Sequence, residues 1–221
     1  MKVTEALTKR KSTRAFLGKM IKPDKIIRIL NAARQAPSGS NTQPWQVAVV
    51  SGDKKHQLQL LIENAFRNGI KGKMDYQYYP VEWQSPYKER RLATGIQLYQ
   101  ALNIARDDKQ KRQDQWAANY RAFDAPVMLF FFMDPIMQMG SFLDYGTFLQ
   151  SIMLTAIEEG LATCPQAALG EYPGIVKKTL GYPDESILLC GMAIGYEDTN
   201  AEINHYRTPR EEVDEFTRFF E

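Results

Sequence analysis

The sequence predicts an α+β fold, and three observations support that class. Apolar strand patterns cover residues 46–50, 126–133 and 187–194, and segments with helical periodicity lie between them. The order of these elements lacks the regular strand–helix–strand alternation of a parallel α/β protein. No linker or internal repeat divides the chain, so we expect one domain over residues 1–221, long enough to bury a substantial core.

Three helices are expected around the first strand. A short one covers residues 3–10, and Pro23 opens the second, because proline suits the first position of a helix. The strand at 46–50 follows a loop rich in proline, serine and glycine. Asp53 is expected to cap the third helix, directly after that strand.

A helical excursion is predicted at about 69–124. It is rich at first in tyrosine, lysine, arginine and proline, and then carries a helix pattern from Leu92 to Ile104. Residues 106–121 are very polar, as in a solvated helix or a lid. The aromatic residues at 76–87 either line a substrate entrance or cover the core beneath, and the sequence does not choose between these two roles.

The second half supplies a long helix and a segment of small residues. Asp144 is expected to cap an apolar helix that Gly160 ends, since glycine suits the left-handed residue after a helix. The stretch 163–168 is small and uncharged, as in a simple loop whose backbone approaches a ligand. A short helix stopped by Gly181 precedes the strand at 187–194.

Composition argues against several classes of function. The 28 basic and 26 acidic side chains give a net charge of +2, too balanced for nucleic acid as the main partner. Cys164 and Cys190 form no C-x-x-C pair and the two histidines are far apart, so we expect neither a disulfide framework nor a metal site. The longest apolar run is too short to span a bilayer and no signal peptide is visible, which favours a cytoplasmic protein.

The loop at 36–45 is the most informative segment. Two prolines restrict its backbone, and the flat amides of Asn41 and Gln43 each offer a donor and an acceptor. Such groups suit a planar heterocycle whose edge alternates C=O and N–H, although an ordinary turn-rich connection is the alternative. The candidate ligands from this loop are Pro37, Ser38, Gly39, Ser40, Asn41 and Gln43.

A basic segment near the N-terminus offers groups for an anion. It contains Arg10, Lys11, Ser12 and Arg14, and the arginine fork matches phosphate oxygens in geometry. A solvated helix end is the alternative interpretation. With the loop at 36–45, the segment suggests a flavin nucleotide, which has a planar ring and a phosphate.

Four segments, in order and spacing, resemble the nitroreductase family of flavin mononucleotide (FMN) enzymes. They are Arg10–Phe16, Ala36–Trp45, Gly160–Gln166 and Arg207–Arg210. The resemblance implies a central mixed five-stranded sheet flanked by helices, in an intertwined homodimer with two flavins at the subunit interface.

The same resemblance implies roles for the site residues. The phosphate would be held by the basic segment and by Arg207 or Arg210, with Arg14 near the pyrimidine end of the ring. The loop at 36–45 would arrive from the partner subunit. Along the reactive N5 edge would lie Pro165, Gln166 and Ala167, the last through its main-chain N–H.

The activity implied is an FMN-dependent oxidoreductase. NADH or NADPH would pass hydride to flavin N5, and a nitroaromatic, quinone or similar acceptor would then replace the nicotinamide, by a ping-pong mechanism. This arrangement needs no G-x-G-x-x-G motif, and none is present. No side chain is required as acid or base, so we name no catalytic residue. The alternatives are a flavin-fragmenting or reductively dehalogenating enzyme on the same scaffold, or a non-catalytic FMN-binding protein.

Overall fold

The computed structural model describes all residues, Met1–Glu221. Five strands form one sheet: β1 Phe16–Leu17, β2 Gln46–Ser51, β3 Val127–Met133, β4 Ala162–Gln166 and β5 Ile187–Glu197. Eight helices surround it: α1 Val3–Lys9, α2 Pro23–Ala33, α3 Gly52–Arg67, α4 Tyr87–Ala101, α5 Lys109–Ala117, α6 Gly140–Glu158, α7 Pro173–Leu180 and α8 Val213–Phe216. No helix combines the length and the apolar character that crossing a membrane would need.

Strand β5 organises the sheet. One edge of β5 pairs with β3, and the other edge pairs first with β4 and then with β1. Ile194 pairs with Val127 of β3 on one side and with Thr163 of β4 on the other, and Glu197 pairs with Phe16 of β1. Strand β2 completes the sheet on the far side of β3. Strand β4 therefore lies along the edge of β5 opposite β3, and its first residues lie beside the N-terminal segment.

Strand β3 is buried along its whole length, as its sequence predicts. All seven residues, VMLFFFM, are buried, because helices cover both faces of the sheet. Phe131 packs on the side of α2 and α6, whereas Phe130 and Phe132 pack on the side of α3 and α7.

The predicted α+β class and the five-stranded sheet are confirmed, but the mixed pairing is wrong. Every strand pair named above is antiparallel, and the one parallel contact is an isolated bridge between Ser12 and Thr163. Strands β3 and β4 do run in the same direction, since both are antiparallel to β5. They are not hydrogen-bonded to each other because β5 lies between them.

The prediction of a simple loop at 163–168 is also wrong, because residues 162–166 form β4. Pro165 is compatible with a strand here since β4 is at the edge of the sheet, where a missing N–H is tolerated. The following residues make a 3-10 turn, Ala167–Gly170. Strand and turn together place this segment beside the candidate site.

Helix boundaries agree with the sequence where proline or glycine sets them. Pro23 is the first residue of α2. Gly160, two residues beyond the end of α6, and Gly181, directly beyond α7, have φ of +70° and +75°. Neither predicted aspartate cap is present. Helix α3 begins at Gly52, without a side-chain cap, and α6 begins at Gly140, so Asp144 lies inside the helix and bonds elsewhere.

Candidate functional site

A cavity of about 940 Å³ lies between the end of β4 and the helical excursion. Four residues that the sequence singled out line it, namely Arg14, Pro165, Gln166 and Ala167. The opposite wall is supplied by α4, α5 and the segments around them. The structure thus brings the N-terminal segment and the β4 segment together at one opening.

The aromatic residues of the excursion divide between the two roles left open above. Tyr79, with Tyr99 and Trp116 further along, lines the cavity. Tyr76 instead packs against the core and donates a hydrogen bond of 2.8 Å to the carbonyl of Leu189. Both interpretations are therefore correct, each for a different residue.

The basic segment is fixed alongside β4. The Thr13 N–H donates to the carbonyl of Thr163 at 3.0 Å, next to the parallel bridge at Ser12. The Arg14 N–H donates to Asn204 Oδ1 at 2.9 Å. These bonds hold the side chains on either side of Thr13 at fixed positions relative to the strand.

Three arginines cluster at this end of the site without a carboxylate partner. The guanidinium of Arg207 donates to the carbonyls of Arg10 and Lys9 at 2.7 and 2.8 Å. Burial, and then the positive charges of Arg210 and Arg207, lower the pKa of Arg10. None of the three makes an ion pair. Three guanidinium groups that lie close together without a carboxylate partner form a suitable binding site for a phosphate.

Lys11, unlike its arginine neighbours, has a carboxylate partner. Its ammonium forms an ion pair of 2.6 Å with Glu197 and donates to the carbonyl of Asn204. The charge of Lys11 is therefore balanced within the chain, at the end of β5.

The loop at 36–45 lies away from the cavity. The Gly39 N–H donates to Asp144 Oδ1 at 3.0 Å, and Thr147 Oγ1 donates to the carbonyl of Pro37 at 3.2 Å. None of its candidate residues (Pro37, Ser38, Gly39, Ser40, Asn41 and Gln43) lines the cavity. The structure of one chain does not bring the two halves of the predicted flavin site together.

The backbone of this loop is strained. Ser40, Asn41 and Gln43 have φ of +50°, +56° and +49°, a region that costs non-glycine residues about 1–3 kcal/mol each. The Gln43 N–H donates to Ser38 Oγ at 3.0 Å, which helps to hold the turn. Asp144 and these local bonds keep an exposed set of amides in one conformation.

The cavity floor has an unpaired buried acceptor. Gln166 is 4% exposed, and its Nε2 donates to the carbonyl and the Oδ1 of Asn119 at 2.9 and 3.2 Å. Its Oε1 has no partner, nor have the hydroxyls of Thr13 and Thr163. An unsatisfied buried acceptor costs about 1–3 kcal/mol. Of these residues Gln166 lines the cavity, so its Oε1 fits a ligand that carries a hydrogen-bond donor. The arginine cluster fits a phosphate, so the residues present suit FMN.

Cys164 is not a nucleophile here. Burial raises the pKa of its thiol to about 11, although the nearby Arg14 and Arg10 guanidinium groups lower it in part. The thiol therefore stays protonated at neutral pH, and a thiolate is the reactive form of cysteine.

Sequence reasoning missed several residues of the site. Asn204 is 1% exposed, and its Nδ2 donates to the carbonyls of Ala15 and Asp198, both at 2.9 Å. It thereby ties the tail to the basic segment. Glu171, Tyr120, Arg106 and Arg112 were also missed, because nothing in their local sequence marks them.

Fold and site together define a class, the α+β oxidoreductases that hold a flavin nucleotide. Comparison with known proteins agrees. The sequence profile of the nitroreductase family matches residues 7–196, and a 4-nitrobenzoate reductase of Pseudomonas putida is 38% identical over 95% of this chain and 92% of its own. The chain belongs to the nitroreductase family.

Solved structures show the same relationship. The FMN and NADPH-dependent nitroreductase NfnB of sphigopyxis sp. strain HMH superposes with a TM-score of 0.96 at 38% identity, covering 100% of both chains. The FMN-dependent nitroreductase NfnB of Mycobacterium smegmatis, solved with NADPH, gives 0.93 at 34% identity over 99% of this chain and 98% of that one. The nitroreductase-like α+β fold of the chain is confirmed over its full length.

Proposed function

We propose that this protein is an FMN-dependent nitroreductase that uses NADH or NADPH to reduce nitroaromatic compounds. The observation that carries the proposal is a cavity lined by Arg14 and the β4 segment, with the unpaired cluster of Arg10, Arg207 and Arg210 in the adjoining N-terminal segment and tail. Reductases to which the chain is similar over nearly its full length act on 4-nitrobenzoate, chloronitrobenzene and nitrobenzene, as their names state. The chain would work as one domain, 1–221, with the excursion at about 69–124 as the cavity wall.

The residues of the basic segment and tail would hold the phosphate. Arg10 and Arg207 are the principal ligands in this proposal, because the Arg207 guanidinium lies directly against the Arg10 backbone. Arg210 adds charge nearby, and Ser12 adds a hydroxyl. Lys11 would act indirectly, since its ammonium is paired with Glu197.

The ring would lie over the β4 segment. Pro165, Gln166 and Ala167 line the cavity there, with Arg14 at its edge. FMN, when bound, supplies the hydride-accepting and hydride-donating chemistry. The Arg14 guanidinium would stabilise negative charge on the pyrimidine part of the ring, and the walls of the cavity would position donor and acceptor in turn.

The second half of the site would come from a second copy of the chain. The loop at 36–45 is exposed and presents amides away from the cavity of its own chain. Large apolar side chains also stand in solvent, including Leu143 at 78%, Phe216 at 71% and Phe219 at 82% exposure. A homodimer with FMN at its interface would cover such surfaces. Both cysteine thiols are free and buried, which is in keeping with the reducing cytoplasm.

The test is to purify the protein, record its absorption spectrum and measure its mass in solution. A yellow dimer whose flavin is reduced anaerobically by NADPH or NADH and then reoxidised by a nitroarene such as 4-nitrobenzoate supports the proposal. A yellow protein that neither nicotinamide reduces indicates a non-catalytic FMN-binding protein. Loss of the flavin spectrum with oxygen consumption, or iodide release from a halotyrosine, would assign one of the other enzymes on this scaffold.

A preference for anionic acceptors is a further expected result. Arg91, Arg106 and Arg112 line the cavity and form no ion pair, and the guanidinium of Arg112 lies 4.2 Å from the centre of the Tyr99 ring. Positive charges that line a cavity raise the association rate of an anionic substrate by about 10-fold or more at low ionic strength. We expect kcat/KM for 4-nitrobenzoate to exceed that for nitrobenzene by about 10-fold, and the ratio to fall as salt is added.

The variant for this prediction is Arg112→Gln, and the matched control is Arg121→Gln. Arg121 is paired with Glu63 and Asp124, both at 3.0 Å, and does not line the cavity. The substrate ratio should fall in the first variant alone. Equal ratios in both variants and the parent protein would show that the cavity arginines do not select the acceptor.

A further inference from the structure

The cavity contains one acidic side chain, that of Glu171. It follows directly after the 3-10 turn at Ala167–Gly170. Its Oε2 accepts a hydrogen bond of 2.6 Å from the hydroxyl of Tyr120, which in turn accepts one of 3.1 Å from Trp116 Nε1. Glu171 and Trp116 line the cavity, and Tyr120 is wholly buried behind them. The carboxyl group is thus held at the cavity wall by a chain of two hydrogen bonds.

The surroundings of this carboxyl group are mostly neutral. Its hydrogen-bond partner is the phenol of Tyr120, and the phenols of Tyr79 and Tyr172 are near enough for its charge to raise their pKa. The charged groups that share the cavity are the arginines, Arg14, Arg91, Arg106 and Arg112, and none of them pairs with Glu171. Burial raises the pKa of Glu171, and the hydrogen bond from Tyr120 lowers it in part. The protonated acid is favoured to a higher pH than for an ordinary glutamate.

The backbone at Glu171 is also held in place. A Cβ added to Gly72 would lie 2.7 Å from the Glu171 carbonyl oxygen and 2.9 Å from its Cβ. The beginning of the excursion therefore packs directly onto this residue, in a way that only glycine permits. Glu171 is fixed from the excursion as well as from Tyr120.

We propose that Glu171 is the acid that protonates the oxygen leaving the nitro group. This inference rests on the proposed function, because it concerns the nitro substrate of that same cavity. It replaces the expectation from sequence that no side chain acts as acid or base.

The step balances as follows. A reduced nicotinamide and a nitroarene, with one proton, give the oxidised nicotinamide, a nitrosoarene and water. The nicotinamide loses two electrons with one hydrogen, the nitro group gains them, and one N–O bond breaks. The departing oxygen takes that hydrogen and the proton of Glu171, and the carboxylate regains a proton from solvent through the open cavity.

The role of Glu171 as an acid determines how the rate of nitroarene reduction depends on pH. An acid must be protonated to act, so the rate of nitroarene reduction falls as the pH rises through the pKa of Glu171. Glu171→Gln keeps a hydrogen-bond acceptor for Tyr120 but cannot donate an acidic proton. We expect this variant to reduce nitroarenes about 100-fold more slowly, the usual range for a positioned acid, and to lose the alkaline fall in its pH–rate profile.

The control acceptor is ferricyanide, which takes electrons and no proton. Glu171→Gln should oxidise NADPH with ferricyanide at the rate of the parent protein, and Glu82→Gln, an exposed glutamate of the excursion, should leave both activities unchanged. Absence of both activities in the parent protein would instead refute the proposed function. Equal loss with both acceptors in Glu171→Gln would overturn the role of Glu171 as the acid.

Two further measurements do not depend on the catalytic rate of Glu171→Gln. The infrared difference spectrum of the purified protein across the pH range should show a carboxylic-acid band that Glu171→Gln removes and Glu82→Gln retains. Tyr120→Phe removes the bond that lowers the pKa, so the alkaline fall should move to higher pH. An unmoved fall in Tyr120→Phe, or an unchanged band in Glu171→Gln, would contradict the proposal.

Discussion

Replacing Arg10 by alanine is expected to weaken FMN binding by about 100-fold. Loss of a charge-assisted bond of this kind costs about 2–5 kcal/mol, and Arg10 is the partly buried member of the cluster with Arg207 and Arg210. Because one of three repelling cations is removed, the cofactor-free protein should lose no stability. Titration of the cofactor-free protein with FMN, followed by flavin fluorescence, measures the affinity.

The matched control is Lys11→Ala. Its ammonium is paired with Glu197, so we expect a smaller loss of FMN affinity. We expect instead a lower melting temperature, since Glu197 and the carbonyl of Asn204 lose their partner. If both substitutions weakened FMN binding to the same extent, the phosphate would be held by the whole basic segment and not by the unpaired arginines.

Gly191→Ala is expected to have the largest effect on folding. An added Cβ would lie 2.6 and 2.7 Å from Leu169 Cδ1 and Cβ and 3.0 Å from the Leu129 carbonyl oxygen. Leu169 is fully buried, so it has little room to move. Overpacking of this kind costs about 1–3 kcal/mol or more. Urea denaturation should show a lower free energy of unfolding.

The same substitution should also disturb the site. Leu169 belongs to the turn Ala167–Gly170, which begins with Ala167 at the cavity floor. Gly174→Ala is the control, because an added Cβ there meets nothing within 4 Å and lies in α7. That variant should keep both its stability and its FMN affinity. A Gly191→Ala protein as stable as Gly174→Ala would mean that Leu169 can move aside freely.

Local chemistry explains what the sequence could predict. The uninterrupted apolar run of β3 indicated a doubly buried strand, and Pro23, Gly160 and Gly181 marked helix ends by their own backbone preferences. The resemblance to a family placed Arg14, Pro165, Gln166 and Ala167 in one site, and the structure finds all four at the cavity.

Long-range contacts explain what could not be predicted. Lys11 meets Glu197 from the far end of the chain, and Asp144 bonds to Gly39 where a helix cap was expected. Strand β4 was hidden because proline and small polar residues form a strand there only through pairing with β5. The acid at the cavity wall was hidden because its partners, Tyr120 and Gly72, are distant in sequence.

The central position of β5 has a consequence for biosynthesis. Three other strands depend on it for their pairing, yet it is encoded near the end of the chain. Strand β3 can pair with β2 as soon as it is synthesised, but its other edge stays unpaired until β5 emerges from the ribosome, and long-range pairing of this kind is slow. During that delay the nascent polypeptide exposes one edge of a phenylalanine-rich, aggregation-prone strand, and premature termination ahead of residue 187 would leave that edge unpaired.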